Sequence, residues 1–525
     1  MLSRVRSALG QLWVPVSICV VIVRWQSTIA ARPATIDPQY GQFSMSGAYH
    51  TDKFVYFAYY LGLFPVTSEL FIKKIRTPGG PGGTLAIPEG ILEIPDAYFS
   101  EQAAKDLVAR QGPSLLMDFN AAMMNGARLK TFLYLPNAIW TGTPKDPSYE
   151  LVNSFFFKLA LIAMFLFLWH ARYYVLAVVA VLLLGSYPFQ LVEVYLRHHS
   201  IFGWLITSCL GLLALNGPIL LGKNVPRRGV AAAILSGIWL GTMLQVRFEI
   251  VTLAFGPLFL YLVHPTFAPR LKIGLVGLLI GTTLATQFTW NAYLERKYNQ
   301  ASQVVRSAGG HPYEGPRRDV HVFWHAIWCG LGDFDTKYGY QWNDLAAYAY
   351  AEPILEQKYH LKIPPRDSYY YLETWDAAGK YPKKPEHFNE YNQVIRDKVL
   401  SDIAKDPRWY LTILLKRMYQ VLTDVPPLQV HLGVVNKPIK LPPGVWLGVG
   451  LVMPVVLLYL RRWNLLKLMI FCLPLMAPPV LIFSKGGMSY SIHHLLSMAI
   501  LVTLLAEWIR GVATTGRWNL RTLRG

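Results

Sequence analysis

The stretch HVFWHAIWCGLGDFDTKYGYQWND, His321–Asp344, holds three Trp, two His, three Asp and the closely spaced Gly330 and Gly332. It is too polar to cross a bilayer and too aromatic for a disordered linker. It sits inside a long polar region, Asn291–Pro443, with strongly apolar segments on both sides. That alternation decides the fold class: apolar helices hold polar regions against a membrane surface.

The 525-residue chain is 53% hydrophobic and only 15% charged, the composition of an all-α polytopic membrane protein. Its net charge of +19 first suggests nucleic acid, so the location of the charge matters. The region Ser27–Glu150 carries 10 basic against 11 acidic residues, and Asn291–Pro443 carries 20 against 17. The remainder carries 20 against 3, mostly at the ends of apolar segments, where positive charge orients helices. No nucleic-acid partner is expected. Of the four cysteines, Cys19, Cys209 and Cys472 lie in apolar segments and read as small buried hydrophobes, while Cys329 lies in the second polar region. Neither a disulfide framework nor a CxxC zinc pattern is present.

In chain order, Arg4 and Arg6 precede an apolar run from Leu12 to about Trp25, which has the shape of a secretory signal. Residues 1–26 are read as an uncleaved signal anchor, because the later topology needs an odd crossing here. A first extracytoplasmic region, 27–150, contains a Gly/Pro-rich loop at Thr77–Gly83 and a helix-like tract at Ser100–Arg110. A six-helix group fills 151–290, with segments near Asn153–Trp169, Tyr173–Val192, Ile201–Leu221, Val230–Gln245, Ile250–Val263 and Ile273–Trp290. The second extracytoplasmic region, 291–443, follows. Three further segments, Gly444–Leu460, Leu466–Phe483 and Ile492–Ile509, occupy 444–511 before a basic tail, 512–525. The expectation is about ten transmembrane helices and two large extracytoplasmic regions.

Charge tests that count. With a cytoplasmic N-terminus, the inner connections contain Arg172, then Lys223, Arg227 and Arg228, then Arg270 and Lys272, then Arg461, Arg462 and Lys467. All are basic, as is the tail, so both termini fall inside and both polar regions outside. Between the second region and the next crossing, Asp406–Leu422 repeats its apolar residues at helical spacing. Arg408, Lys416 and Arg417 oppose them, which predicts an amphipathic helix, 406–422, in the outer interface.

Charges at membrane depth are costly and normally face an interior or a watery cavity. A cavity lined by Arg247, Lys485 and Arg197 suits a lipid phosphate; the plainer alternative is that Arg247 and Glu249 satisfy each other. Asp52, beside His50 in SMSGAYHTDKFVYFAYYLG, is held near the bilayer by the aromatic run Phe54–Tyr60. A carboxylate there can act as a general base toward a hydroxyl, or simply cap a helix or pair with Lys53. His321 and His325 share one helix face, a spacing that suits a metal. Val322 stands where an HExxH glutamate would be, and no third ligand follows at a diagnostic spacing. No metal is therefore assigned, aromatic packing is the simpler reading, and a divalent cation stays open as the alternative. Trp324, Trp328 and Trp342 make the stretch strongly aromatic, and Asp344 either lines an acceptor site or caps a helix at Leu345. His493 and His494 stand at the outer mouth of the last crossing, as neutral packing or as phosphate contacts.

Taken together, this layout resembles the GT-C class of membrane glycosyltransferases, and within it the bacterial relatives of the dolichyl-phosphate-mannose protein mannosyltransferases. The resemblance implies transfer of a sugar from a polyprenyl-phosphate donor to a glycan, lipid or protein acceptor at the outer face of a bacterial inner membrane. It makes Asp52 in YHTDKFVYFAYY the counterpart of the catalytic acid, and under it Trp324, Trp328 and Trp342 would stack on sugar faces. It likens Arg247 and Glu249 in VRFE to an Arg-x-Glu element, and sets His493 or His494 where an Arg is more usual. Thr51 and Lys53 flank Asp52 where the class commonly shows an acidic pair. Two other classes stay in view: a transporter of lipid-linked glycans, and a non-catalytic subunit of an envelope complex.

Overall fold

A computed structural model describes residues 15, 17–18, 60–63, 100–112, 148–185, 201–220, 226–246, 248–309, 323–360, 374–375, 382–383, 388–425, 428–429, 438–439, 441–482 and 491–515. These residues are overwhelmingly helical. The first polar region contributes α1 (Glu101–Gln111), whose N-terminus is capped by the Ser100 hydroxyl accepting from the Ala103 amide at 3.2 Å. The apolar tract that follows forms α2 (Ser148–His170), α3 (Tyr174–Leu184), α4 (Ile201–Leu220), α5 (Pro226–Met243), α6 (Phe255–Val263) and α7 (Pro269–Ser307). The second polar region forms α8 (Phe323–Leu331), α9 (Asp344–Tyr359), α10 (Phe388–Lys405) and α11 (Pro407–Thr423). The C-terminal tract forms α12 (Pro443–Tyr459), α13 (Trp463–Cys472), α14 (Ala477–Leu481) and α15 (Ser491–Thr515). Two antiparallel ladders of two residues each, Thr374–Trp375 with Pro382–Lys383 and Leu428–Gln429 with Pro438–Ile439, complete the described elements.

The described part of each expected apolar segment after the first is helical, and the first lies outside the described residues except for three positions. Among the described residues, three helical stretches are long and apolar enough to cross a membrane: Pro269–Ser307, Trp463–Leu481 and Ile492–Thr514. The other apolar helices are shorter. Two segments differ from continuous helices. The stretch expected at Ile250–Val263 begins as a 3₁₀ turn, Phe248–Ala254, before α6. The stretch expected at Leu466–Phe483 is interrupted by a 3₁₀ turn, Leu473–Met476, between α13 and α14. Pro474, Pro478 and Pro479 explain the second break, since proline lacks the amide and its ring crowds the preceding turn.

Two cores result. One runs through the apolar helices, where α2 packs on both α3 and α4, α4 packs on α5, and α15 returns to pack on α3. The other joins α8, α9, α10 and α11 around Trp328, Tyr340, Tyr391 and Trp409. Tight corners serve two connections expected on the inner side. Arg172 (φ 67°) and Arg461 (φ 58°) adopt left-handed backbone after α2 and α12. In each corner that residue's amide bonds three residues back and the next amide bonds five back, the Schellman pattern that normally takes glycine.

At 1.5 Å per residue the 39 residues of α7 extend roughly 58 Å, against a hydrocarbon core of about 30 Å. Its apolar half is therefore long enough for a crossing, and its polar half, from Asn291, extends past that length. The expected start of the second polar region is thus the midpoint of one continuous helix. The outward face of the apolar half is bare, with Ile273 72% and Phe288 76% exposed. Its inner face meets α5 through glycines: a Cβ at Gly241 would lie 2.7 Å from both the Thr283 carbonyl oxygen and Thr286 Cβ. Such small-residue contacts let helices approach where lipid supplies no hydrophobic drive. Gly241→Leu should wedge α5 from α7 at a cost of about 1–3 kcal/mol. Gly277→Leu, which meets nothing within 4 Å, should leave the melting temperature in detergent unchanged.

Candidate functional site

The second polar region is fastened to the apolar bundle by a cation that its sequence pattern assigns to the wrong face. Arg417 was expected on the solvated face of an amphipathic helix; on α11 it is fully buried. Its Nε donates to Asp333 Oδ2 at 3.0 Å, and its Nη1 donates to the Val480 carbonyl at 3.2 Å. Asp333 follows α8 and Val480 belongs to α14, so one guanidinium joins three elements. Burial pulls Arg417 below its ordinary value and Asp333 opposes that pull; an arginine stays charged throughout. Gly330 permits the close approach, because a Cβ there would overlap the Ile482 carbonyl oxygen and meet Arg417 Nη2 at 2.8 Å.

A second charge cluster braces α8, α9 and α10. Lys398 Nζ pairs with Asp402 Oδ2 at 2.8 Å and lies 4.7, 5.2 and 5.7 Å from the ring centroids of Tyr350, Tyr340 and Trp328. The Tyr340 hydroxyl donates to Asp402 Oδ2 at 3.0 Å. Burial first, and then the Asp402 charge, hold that phenol well above its ordinary value, so it remains a donor. The cluster satisfies itself and is bracing rather than chemistry.

This bracing settles the loop between α8 and α9. Asp335 accepts from the Lys337 amide at 3.0 Å and from Trp409 Nε1 at 3.3 Å. Lys337 pairs with Asp406 at 2.6 Å, and Asp406 also caps α11 by accepting from the Trp409 amide at 3.0 Å. Tyr338 (φ 60°) and Gly339 (φ 82°) turn the chain, and Gly332 lies so close to the Gln341 backbone that no Cβ fits between them. Trp342, just beyond that neck, is 42% exposed.

The expected site residues divide sharply. Asp52, His50, Arg197, Arg247, His321 and Lys485 lie outside the described residues. Trp328 is buried against Tyr340 and Tyr350 and cannot stack on a sugar. His325 is also buried, bonded through Nδ1 to the Tyr391 hydroxyl at 2.5 Å, so it is a core histidine. Trp324 is half-buried with its ring edge to Phe323. Asp344 is the first residue of α9. His493 and His494 are buried rather than at an open mouth. The Nε2 of His494 lies 3.1 Å from the Leu422 carbonyl, in the last turn of α11, and His493 Nε2 lies 3.5 Å from the Gly450 carbonyl. They join helices, the arrangement expected of the neutral packing that was one of their two readings. Glu249 is half-buried in the 3₁₀ turn Phe248–Ala254. No group of three His, Cys, Asp or Glu that could hold a metal occurs among the described residues.

What the structure does gather is the neighbourhood of these positions. The 3₁₀ turn carrying Glu249 packs on α14 and on the 3₁₀ turn Leu473–Met476, while α11 packs on the same α14. A Cβ at Gly62, ten residues after Asp52, would lie 3.7 Å from Val304 on the projecting half of α7. A described piece of the first polar region thus touches the helix from which the second emerges.

Arg417, Lys398 and Asp402 were not foreseen as organising residues. The i, i+4 spacing of Lys398 and Asp402 was a legible signal. So was Asp333 in the apolar run CGLGDF, since a buried acid needs a cation. Comparison of the chain with protein-family models, with curated proteins and with solved structures gives no match.

Arg417→Met should strand Asp333 without its cation and cost about 3–5 kcal/mol, read as an early loss of α8 and α11 protection in hydrogen exchange. The Lys337–Asp406 pair predicts a pH window. Lys337, then the Trp409 amide, hold the Asp406 carboxyl below its ordinary value. Its stabilisation is therefore present above the ordinary aspartate range and lost as pH falls through the depressed value. Lys337 is held above its ordinary value, chiefly by Asp406, so its share is lost only as pH rises through the raised lysine range. Exchange at the Trp409 amide should accelerate at both extremes, and Asp406→Asn, which keeps the cap, should flatten that profile.

Proposed function

We propose that the chain is an integral membrane glycosyltransferase of the GT-C type, with about ten crossings and both polar regions on the non-cytosolic face. The observation that carries this reading is the convergence on α14. The 3₁₀ turn of Glu249, two residues after Arg247, and α11 meet the same short helix, which ends four residues before Lys485. The contact between Gly62 and Val304 supports the same-face arrangement, since it brings the chain after Asp52 to the projecting half of α7.

In this reading Asp52 takes the proton of an acceptor hydroxyl, and the freed oxygen attacks the anomeric carbon with inversion. The bond to the polyprenyl phosphate breaks with its electron pair on the phosphate oxygen. Arg247 and Lys485 meet that developing charge, an electrostatic contribution that needs no covalent intermediate. Trp342 stays as an acceptor-stacking residue because its ring is exposed on a braced loop. His325, Trp328, His493 and His494 leave the contact set and serve packing. Membrane lipids surround the helices, and the location implied is a bacterial inner membrane.

One observation favours a second reading. The two interrupted apolar segments pack on each other, where a Cβ at Gly256 would lie 2.8 Å from the Phe471 carbonyl oxygen. Paired broken helices are how secondary transporters frame a substrate, so a lipid-linked glycan transporter is the alternative.

Asp52→Asn separates the two. A transferase should lose roughly 10²–10⁴-fold in turnover of a polyprenyl-phosphate sugar while keeping its melting temperature and its binding of the donor lipid. Turnover equal to that of the unmodified protein would remove Asp52 as the base, and lipid movement without sugar transfer would favour the transporter.

A further inference from the structure

Helix α11 has its polarity reversed relative to a surface helix of a soluble protein. Its cation Arg417 points inward to Asp333, while Leu411, Leu415, Met418 and Tyr419 are each 45–60% exposed. These four recur at i, i+4, i+7 and i+8, so they form one stripe along the helix. Arg408 and Lys416 are exposed beside it.

The surroundings say what covers the stripe. Helix α11 packs on α12, whose Leu451, Val452 and Val455 are 52–63% exposed, and on α14, the end of a stretch long and apolar enough to cross a membrane. The bare stripe is therefore continuous with surface that faces lipid. The loop before α9 extends it: Lys416 Nζ lies 5.7 Å over the Phe334 ring, and Tyr338 meets Trp409 edge-on at 5.1 Å. Both rings are 37% exposed. Aromatic rings and long cations beside an apolar stripe are the composition of a membrane–water boundary, where rings sit at headgroup level and cations reach anionic lipid.

We propose that α11 and the Phe334–Tyr338 edge form a ledge seated in the interface of the outer leaflet, with Arg408 and Lys416 contacting anionic headgroups. The buried pair Arg417–Asp333 keys the helix so that its apolar stripe faces lipid. The ledge depends on the membrane-spanning helices and not on sugar transfer, so an inactive Asp52→Asn variant leaves it untouched.

The test uses the full-length protein in nanodiscs, with a bimane label on Leu415→Cys and, as a water-facing control, on Gln357→Cys of α9. A phosphatidylcholine carrying a shallow doxyl group quenches from lipid, and iodide quenches from water. The ledge predicts at least threefold stronger doxyl quenching at position 415 than at 357, with the reverse order for iodide. It also predicts deeper doxyl quenching at 415 when a third of the phosphatidylcholine is replaced by phosphatidylglycerol, an increase abolished by Arg408→Gln with Lys416→Gln. Iodide quenching at 415 equal to that at 357 overturns the ledge, as would protection from both quenchers, which would mean a covering protein surface. Equal doxyl quenching in the two lipid mixtures overturns the headgroup contact.

Discussion

A buried guanidinium cannot be left without its carboxylate, and that constraint organises the described half of the polar architecture. Arg417 and Asp333 come from elements 84 residues apart in sequence, and neither is tolerable alone at such burial. Their pairing fixes α11 against the end of α8, and the bond to the Val480 carbonyl fixes both against α14. Gly330 is required at the crossing because any side chain there would collide with the Ile482 carbonyl. The aromatic core of α8–α11 then closes around a second satisfied charge, Lys398, so the polar unit is held by electrostatics at its edges and by rings at its centre.

The apolar bundle answers a different problem. Lipid offers helices no hydrophobic reason to associate, so contact depends on close backbone approach and internal polar bonds. Gly237 and Gly241 supply the approach of α5 to α7. Asn216 supplies the bonds, donating to Ser236 Oγ at 2.8 Å and accepting from the Tyr261 hydroxyl at 2.8 Å. The two interrupted segments meet at Gly256 and Phe471, near the α14 end to which the polar unit is pinned. That coincidence of broken helices, a half-buried glutamate and a pinned aromatic unit is why a site is proposed there rather than elsewhere.

Much of the helical layout was legible because apolar runs and basic connections are local signals. Ser100 and Asp406 announced helix starts, and Arg172 and Arg461 mark corners whose positive charge was visible even though their left-handed backbone was not. What a single helix pattern could not show was which face of α11 looks inward. Helical spacing grouped Arg417 with Arg408 and Lys416, and only the distant Asp333 decided otherwise. The same limit left the roles of Trp328 and His325 open: an aromatic run looks alike whether its rings are exposed to a sugar or buried against Tyr340, Tyr350 and Tyr391. Exposure depends on tertiary contact, and Trp342 keeps its candidacy because it remains exposed.

The central claim is that the two polar regions leave the bilayer on one non-cytosolic surface. Impermeant maleimide labelling of single cysteines in a cysteine-free background tests it directly, with Gln102→Cys on α1 and Ser401→Cys on α10, both exposed positions. The account predicts that both label in intact cells to the same extent as after permeabilisation. Labelling of one from outside and of the other only after permeabilisation would contradict it.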